Sequence, residues 1–341
     1  MLTVHLMHNQ KFIMPFINFV NTHFDQGSQL FVIVGGRSES EFPIVRYENV
    51  VVLDRSALRY WNILNYFSTL KNILFKSNRI IIHSLYFPRI SHFLFINKVF
   101  LKKCYWIMWG GDFYFPEKQS WFKKQVIKKI RHFITYLKGD FELAQKWYGT
   151  TGEYHECFMY PSNLYKDYVA PEVKHSSINI LVGNSADPSN NHLEVFDKLE
   201  VFKDQDIKIY APLSYGNQTY AKKVIEEGKK QFGDKFEPLT DMMPFDQYLE
   251  FLGLIDVAIF NHKRQQAMGN TITLLSLGKK VFMRSDITPW KKFEKLEIIL
   301  FDSKKEFDLS SDIMIMNSNK DKVKVEFSEK NLIKQLNNIF K

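Results

Sequence analysis

Cysteine is almost absent, with only Cys104 and Cys157 in 341 residues. Two thiols cannot build a disulfide framework or a cysteine metal site, and a reducing compartment is the natural reading. No run approaches 18 uninterrupted apolar residues, so no membrane-spanning helix is expected. The segment Met1–Phe19 has no basic stretch ahead of an apolar one, so no secretory leader is read there. Neither a G-x-x-x-x-G-K-[ST] loop nor a G-x-G-x-x-G turn occurs, which leaves P-loop kinase and dinucleotide-dependent dehydrogenase chemistry without support. An acidic D-x-D triplet, Asp204-Gln-Asp206, precedes a predicted strand. That is the wrong end for a ligand-holding metal, so no metal site is expected.

What the chain does have is apolar mass. Hydrophobic residues make up 45% of it and aromatics 16%, 31 of them Phe, enough to fill two cores at this length. The net charge of +9 is uneven. Residues 1–170 carry 21 Lys/Arg against 12 Asp/Glu, whereas residues 171–341 carry 25 of each. The first half therefore calls for an anionic partner: a bilayer, a lipid diphosphate or nucleic acid. The neutral second half argues against nucleic acid, which needs aromatics interleaved with basic residues along a groove. A non-enzymatic membrane-surface scaffold would explain the charge but not the polar loops described below.

Apolar, β-rich runs alternate with helical or polar stretches. In the first half they are Leu2–Met7, Leu30–Val34, Val50–Leu53, Ile80–His83, Tyr105–Trp109 and Phe158–Tyr160. In the second they are Ile178–Val182, Ile207–Tyr210, Val257–Phe260, Lys280–Met283 and Ile298–Phe301. Near-continuous Val/Ile/Leu/Phe runs predict strands covered on both faces, hence an α/β class with parallel sheets. The polar stretch Pro161–Ser177 separates the two series and predicts domains at 1–170 and 171–341. The helical spacing of Leu332, Ile333, Leu336, Ile339 and Phe340 predicts an amphipathic closing helix over 326–340. Lys118–Lys138 holds seven Lys/Arg and no acid, with Phe122, Val126, Ile130, Phe133 and Leu137 at spacings of three or four. It predicts a second amphipathic helix whose lysines attract anionic lipid.

In open α/β sheets ligands bind beyond the carboxyl ends of the strands, so strand-end residues are the candidates. After Ile178–Val182 come Gly183, Asn184 and Ser185, a glycine allowing close backbone approach and two small polar side chains. After Val257–Phe260 the chain reads Asn261-His-Lys-Arg-Gln-Gln-Ala-Met-Gly-Asn-Thr271 and then turns helical. There the helix start at Gly269, Asn270 and Thr271 suits a diphosphate, with Arg264, Gln265 and Gln266 adding donors. In the first half, Trp109-Gly-Gly-Asp-Phe-Tyr114 ends a strand. Gly110 and Gly111 permit close approach, Asp112 is placed to take a proton from a hydroxyl, and Trp109 or Tyr114 to stack on a pyranose. His83 ends another strand and is a second catalytic candidate.

Three of these segments together carry a resemblance: Ile180-Leu-Val-Gly-Asn-Ser-Ala-Asp-Pro-Ser-Asn-Asn-His192, Arg264-Gln-Gln-Ala-Met-Gly269 and Trp109-Gly-Gly-Asp-Phe-Tyr114. The chain resembles glycosyltransferase family 56, from about His83 to Glu294. The resemblance implies a GT-B fold, two Rossmann-like doubly wound domains facing a central cleft. It implies a dTDP-sugar donor as co-substrate, no metal and no other cofactor. It also implies a polyprenyl-diphosphate saccharide acceptor at the cytoplasmic face of the bacterial inner membrane, in enterobacterial common antigen or O-antigen synthesis. On that reading Tyr210 and Tyr215 line the donor pocket, and the basic first domain sits peripherally on anionic lipid.

Overall fold

The apolar runs form parallel strands because helices bury them on both faces. The protein is described here from a computed structural model covering residues 1–36, 42–54, 63–168 and 176–341. It divides into unit 1, Met1–Ser162 with Leu332–Lys341, and unit 2, Asn163–Asn331. The expected boundary at 170/171 lies outside the described residues.

Unit 1 is built on β1 (Thr3–Met7), β2 (Gln29–Gly36), β3 (Val50–Asp54), β4 (Arg79–His83), β5 (Cys104–Ile107), β6 (His132–Thr135) and β7 (Glu153–Glu156). They are parallel neighbours in the order β3-β2-β1-β4-β5-β6-β7. The helices are α1 (Ile13–His23), α2 (Ile63–Lys76), α3 (Pro88–Ile96), the short α4 (Gly110–Phe113), α5 (Trp121–Lys129) and α6 (Lys138–Tyr148). One sheet face packs Val4, Leu6, Ile80, Ile82, Trp106 and Phe133 against α2, α3, α5 and α6. The other face carries His5, whose ring meets Phe16 of α1 and Phe340, each at 5.6 Å.

Unit 2 repeats the plan with β8 (Ile178–Val182), β9 (Ile207–Pro212), β10 (Phe236–Leu239), β11 (Val257–Phe260), β12 (Lys280–Met283) and β13 (Phe301–Asp302). The order is β10-β9-β8-β11-β12-β13, again all parallel. Its helices are α7 (His192–Leu199), α8 (Gln218–Phe232), α9 (Phe245–Gly253), α10 (Met268–Ser276), α11 (Thr288–Lys295) and α12 (Ile313–Glu326). Helix α13 (Glu329–Phe340) follows, and from Leu332 onward its residues belong to unit 1. The closing helix therefore exists as expected but does not complete the domain that precedes it.

Three expectations change. Phe158–Tyr160 is not a strand; the strand is β7, five residues earlier, and Met159 has a positive φ of 60°. Glu-Tyr-His-Glu escapes an apolar-run criterion because β7 is an edge strand with half-exposed side chains. Strand β10 was missed for the same reason, Phe-Glu-Pro-Leu at the opposite sheet's edge. Finally, Lys118–Lys138 is not one helix. Helix α5 ends at Lys129, Ile130 turns to ψ 138°, and β6 follows. Phe122 and Val126 thus lie in α5, Ile130 caps it, Phe133 lies in β6 and Leu137 precedes α6, and the periodicity is coincidental. Lys123 within it is buried, with Nζ donating to Gln119 Oε1 at 2.8 Å.

Leu332, Leu336 and Ile339 of α13 are fully buried. Gln335 Oε1 also accepts from the Phe158 amide at 3.1 Å. Leu336→Ala is expected to destabilise unit 1 by roughly 2–5 kcal/mol, as for other buried Leu truncations. Urea unfolding followed by tryptophan fluorescence measures this, since Trp106 lies in the unit 1 core.

Candidate functional site

In each all-parallel sheet the strand order reverses once, between β1 and β4 in unit 1 and between β8 and β11 in unit 2. Strands leaving such a point diverge to opposite sides and open a crevice at their carboxyl ends, where open α/β sheets hold ligands. In unit 2 the two loops at this point are residues 183–191 and 261–267. These are the loops singled out in the sequence.

A single buried side chain joins them. Asn190 Oδ1 accepts from the Asn184 amide at 2.8 Å and meets His262 Nε2 at 2.9 Å. Its Nδ2 donates to Ser185 Oγ at 3.3 Å and to the Asp187 carbonyl at 3.0 Å. The backbone amide can only donate, which fixes which Asn190 atom is the oxygen and makes His262 Nε2 carry its proton. Burial, with the Arg264 charge second, drives the His262 imidazole down to about 3, so it is neutral.

Above this anchor lies a half-buried polar layer. Gln266 Nε2 donates to Asn184 Oδ1 at 3.0 Å and Ser185 Oγ at 3.3 Å, and Gln266 Oε1 accepts from Ser189 Oγ at 2.9 Å. Asn184 Nδ2 reaches Tyr215 OH at 3.1 Å. Arg264 pairs with Asp187 at 2.9 Å. Burial alone would raise the Asp187 carboxyl, but the Ser189 hydroxyl and amide, then Arg264, outweigh it and hold the group below its ordinary value. Next to Gln266, Ala267 takes a left-handed φ of 56° and α10 begins with no side-chain cap. The amides of its first turn are therefore available to an anion.

The structure thus brings Asn184, Ser185, Tyr215, Arg264 and Gln266 together, with Gln265, Gly269 and Asn270 half-buried alongside. Three expectations are corrected. Gly183 is required by the protein itself, since its φ is +69° and a Cβ would fall 2.5 Å from His192 Nε2. Thr271 is fully buried and its hydroxyl returns to the Ala267 carbonyl at 3.0 Å. Tyr210 lies inside β9 and packs on Phe251 at 5.2 Å. Asn190, His262 and His192 were not singled out as site residues. The visible signal was the polar run Ser189-Asn-Asn-His192, which reads equally well as an ordinary helix cap.

Unit 1 departs further from expectation. Asp112 is fully buried, and Oδ2 accepts from the Leu85 amide at 2.9 Å and Trp106 Nε1 at 3.1 Å, while Oδ1 accepts from the Trp109 amide at 3.1 Å. A carboxylate spent on backbone and indole donors positions the loops after β4 and β5; it is not an accessible base. His83 is buried between His5, at 3.1 Å, and Tyr160 OH, at 2.8 Å. Burial, then His5, holds its imidazole well below the ordinary range. Tyr114 is buried and donates its hydroxyl to Asp140 at 2.7 Å, so it does not offer a stacking face. Gly110 is buried, whereas Gly111 is exposed and Trp109 half-exposed, with Trp109 Nε1 donating to Tyr160 OH at 3.3 Å. The sequence reading passed over His8, which directly follows β1 at the reversal point. Its Nδ1 donates to the Val34 carbonyl at 2.6 Å.

These two units match known proteins. A family model described as 4-alpha-L-fucosyltransferase glycosyl transferase group 56 covers residues 5–340. Among solved structures, the OtsA apo structure superposes with a TM-score of 0.69 at 10% identity, covering 100% of this chain and 99% of that one. The HepE protein of Anabaena, solved in complex with UDP, gives 0.69 at 11% identity with 99% of each chain covered. WaaG, described as a glycosyltransferase involved in lipopolysaccharide biosynthesis, gives 0.63 at 8% identity, covering 99% of this chain and 98% of that one. At these identities the likeness shows the fold, which is of the GT-B type.

Burial pushes the Asp112 carboxyl up to about 6, against the lowering pull of Leu85, Ser84 and Trp106. A group that holds its proton more tightly folded than unfolded adds stability at low pH, and that contribution is lost as pH rises from about 4 to about 6. Asp112→Asn removes the titration. The melting temperature of the parent protein is expected to fall relative to Asp112→Asn across that window; a difference independent of pH would refute the burial effect.

Proposed function

The chain belongs to glycosyltransferase group 56, and from this we propose that it transfers a 4-acetamido-4,6-dideoxyhexose of the Fuc4NAc type. The donor is a dTDP-sugar and the acceptor an undecaprenyl-diphosphate-linked saccharide, in enterobacterial common antigen or O-antigen synthesis. That it is a glycosyltransferase follows from the family; the donor, acceptor and pathway are the proposal. The observation that carries it is the uncapped start of α10 beside Arg264, Gln266, Asn184 and Ser185 at the strand reversal of unit 2. A nucleoside diphosphate is the ligand this chemistry fits, with its charge on the helix amides and its polar parts among the carboxamides. The HepE structure with UDP supports a nucleotide-bound donor.

In this reading the acceptor oxygen bonds to the anomeric carbon as the bond from that carbon to the diphosphate breaks. Negative charge grows on the departing dTDP, and the α10 amides and the Arg264 guanidinium meet it without reorganising. A divalent cation is then unnecessary. Unit 1 supplies the acceptor side. Trp109 offers its half-exposed indole face to the sugar, and the hydroxyl proton passes to water. Asp112 holds the loop that carries Trp109.

The membrane reading moves with the fold. No helix among the described residues is long and apolar enough to cross a bilayer. The lipid-facing element proposed instead is where the end of α3 meets the start of α5. There Trp121 (58% exposed) lies 5.1 Å from the Phe95 ring, and Ile96 (78%) and Val99 (62%) are exposed close to Phe95 in sequence. Lys98 Nζ stands 4.9 Å over that same ring, and Lys102 and Lys118 are exposed nearby in sequence. Interfacial aromatics with lysines suit an anionic headgroup layer.

dTDP is expected to raise the melting temperature without added metal, and EDTA to leave turnover intact; strict restoration of an EDTA-inactivated enzyme by manganese would refute the metal-free scheme. Arg264→Ala should weaken dTDP binding by roughly 1.5–3 kcal/mol, as for a lost charged hydrogen bond. In liposome sedimentation, binding should require anionic lipid, fall with salt and weaken in a Lys98→Gln, Lys102→Gln, Lys118→Gln variant. Equal binding to neutral vesicles at high salt would replace electrostatic attachment with insertion.

A further inference from the structure

The sheet face of unit 1 that carries His5 and His83 continues to the edge strand β7, three strands beyond β4. There the register places His132 opposite Glu153 and Ile134 opposite His155. His132, Glu153 and His155 therefore project from one face of two adjacent strands. His132 Nδ1 is 3.0 Å from His155 Nε2 and 3.5 Å from Glu153 Oε2, and the three ligand atoms all lie within 4.8 Å of one another. No step of the transfer reaction uses these residues.

We propose that His132, Glu153 and His155 form a binding site for a divalent transition metal of the zinc class, pinning β7 to β6. Bonds of about 2.0–2.1 Å at tetrahedral angles put neighbouring ligand atoms about 3.3 Å apart. The His132–His155 and His132–Glu153 spacings bracket that value, and the third pair lies within 4.8 Å. Two imidazoles and one carboxylate are a known zinc ligand set that leaves a fourth position for water. The ligands are also held from behind. Glu153 Oε1 is engaged by Arg131, which turns Oε2 toward the histidines. The Tyr105 ring lies flat on His132, centroids 4.0 Å apart and 9° from parallel, and fixes the imidazole plane. Such outer partners orient metal ligands elsewhere.

The surroundings also select among metals. Arg131 and Arg79 flank the cluster, and the Arg79 guanidinium lies 5.0 Å over the Tyr105 ring. Two positive neighbours and a single carboxylate disfavour Ca²⁺ or Mg²⁺, which depend on several anionic oxygens. Neutral imidazoles retain Zn²⁺ and Co²⁺. A metal held there raises stability by binding the folded state, and it is separate from the transfer chemistry.

The test is direct titration of the purified chain, stripped with chelator, using Co²⁺ as a spectroscopic probe and Zn²⁺ as competitor. One equivalent of Co²⁺ should give a tetrahedral visible band that Zn²⁺ abolishes and Mg²⁺ does not. Zn²⁺ should raise the melting temperature. His155→Gln, whose amide can still bond His132, should weaken binding at least about tenfold. Should that variant not fold, Glu153→Gln at the half-exposed position should show the same loss. Uptake of Co²⁺ unchanged in either folded variant, or no band in the parent chain, would overturn the proposal. Neither result touches the donor assignment, which is read by dTDP binding.

Discussion

The Asn190 carboxamide is the contact on which the polar site of unit 2 depends. It sits where two strands separate, fully buried, and its oxygen accepts from both loops, from the Asn184 amide and from His262 Nε2, while its nitrogen ties down its own loop at Ser185 and Asp187. A buried carboxamide left unpaired would be costly, so the loops are held to it as firmly as it is held to them. Everything nearer the surface is referred to that frame: Asn184 and Ser185 through one side, His262 and hence Arg264 and Gln266 through the other. The half-buried layer can offer many donors to a ligand without being loose.

Unit 1 uses the same device with a charge. Asp112 ties the segment after β4 to the segment after β5 through Leu85, Trp106 and Trp109. The exposed neighbours, Gly111 and half-exposed Trp109, are held in place by a group that never meets solvent. In unit 1 the residue that looks most reactive in sequence is the one that fixes loops, and in unit 2 that part falls to Asn190, hidden in a polar run. The groups free to meet a ligand are their less conspicuous neighbours.

That pattern explains what could be read in advance. Strands buried on both faces announce themselves, and nine of the eleven expected runs overlap a strand of at least four residues in the folded protein. The two donor-side loops were found because the fold class says where to look, at the strand ends. Edge strands β7 and β10 were hidden by their mixed polarity, and α5 with β6 by a spacing that three segments share. Which strand-end residue faces inward was not legible either. Asp112, Tyr114 and Thr271 have the chemistry of ligand-contacting residues, and only packing reveals that Leu85, Asp140 and Ala267 already occupy their polar atoms. The register that aligns His132 with Glu153 is likewise invisible until β6 and β7 are paired.

Helix α13 gives the two units different histories. Unit 2 is a continuous stretch of chain, Asn163–Asn331, and can assemble as soon as it has been synthesised. Unit 1 begins to emerge first but lacks Leu332, Leu336 and Ile339 until all of unit 2 has been made. During translation the His5 face of its sheet has Phe16 of α1 against it but lacks Phe340, the reverse of the usual order in which the leading domain is completed first. A nascent chain stalled within unit 2 would carry a first unit that is open to chaperones and proteases, and the arrival of α13 is the event that closes it.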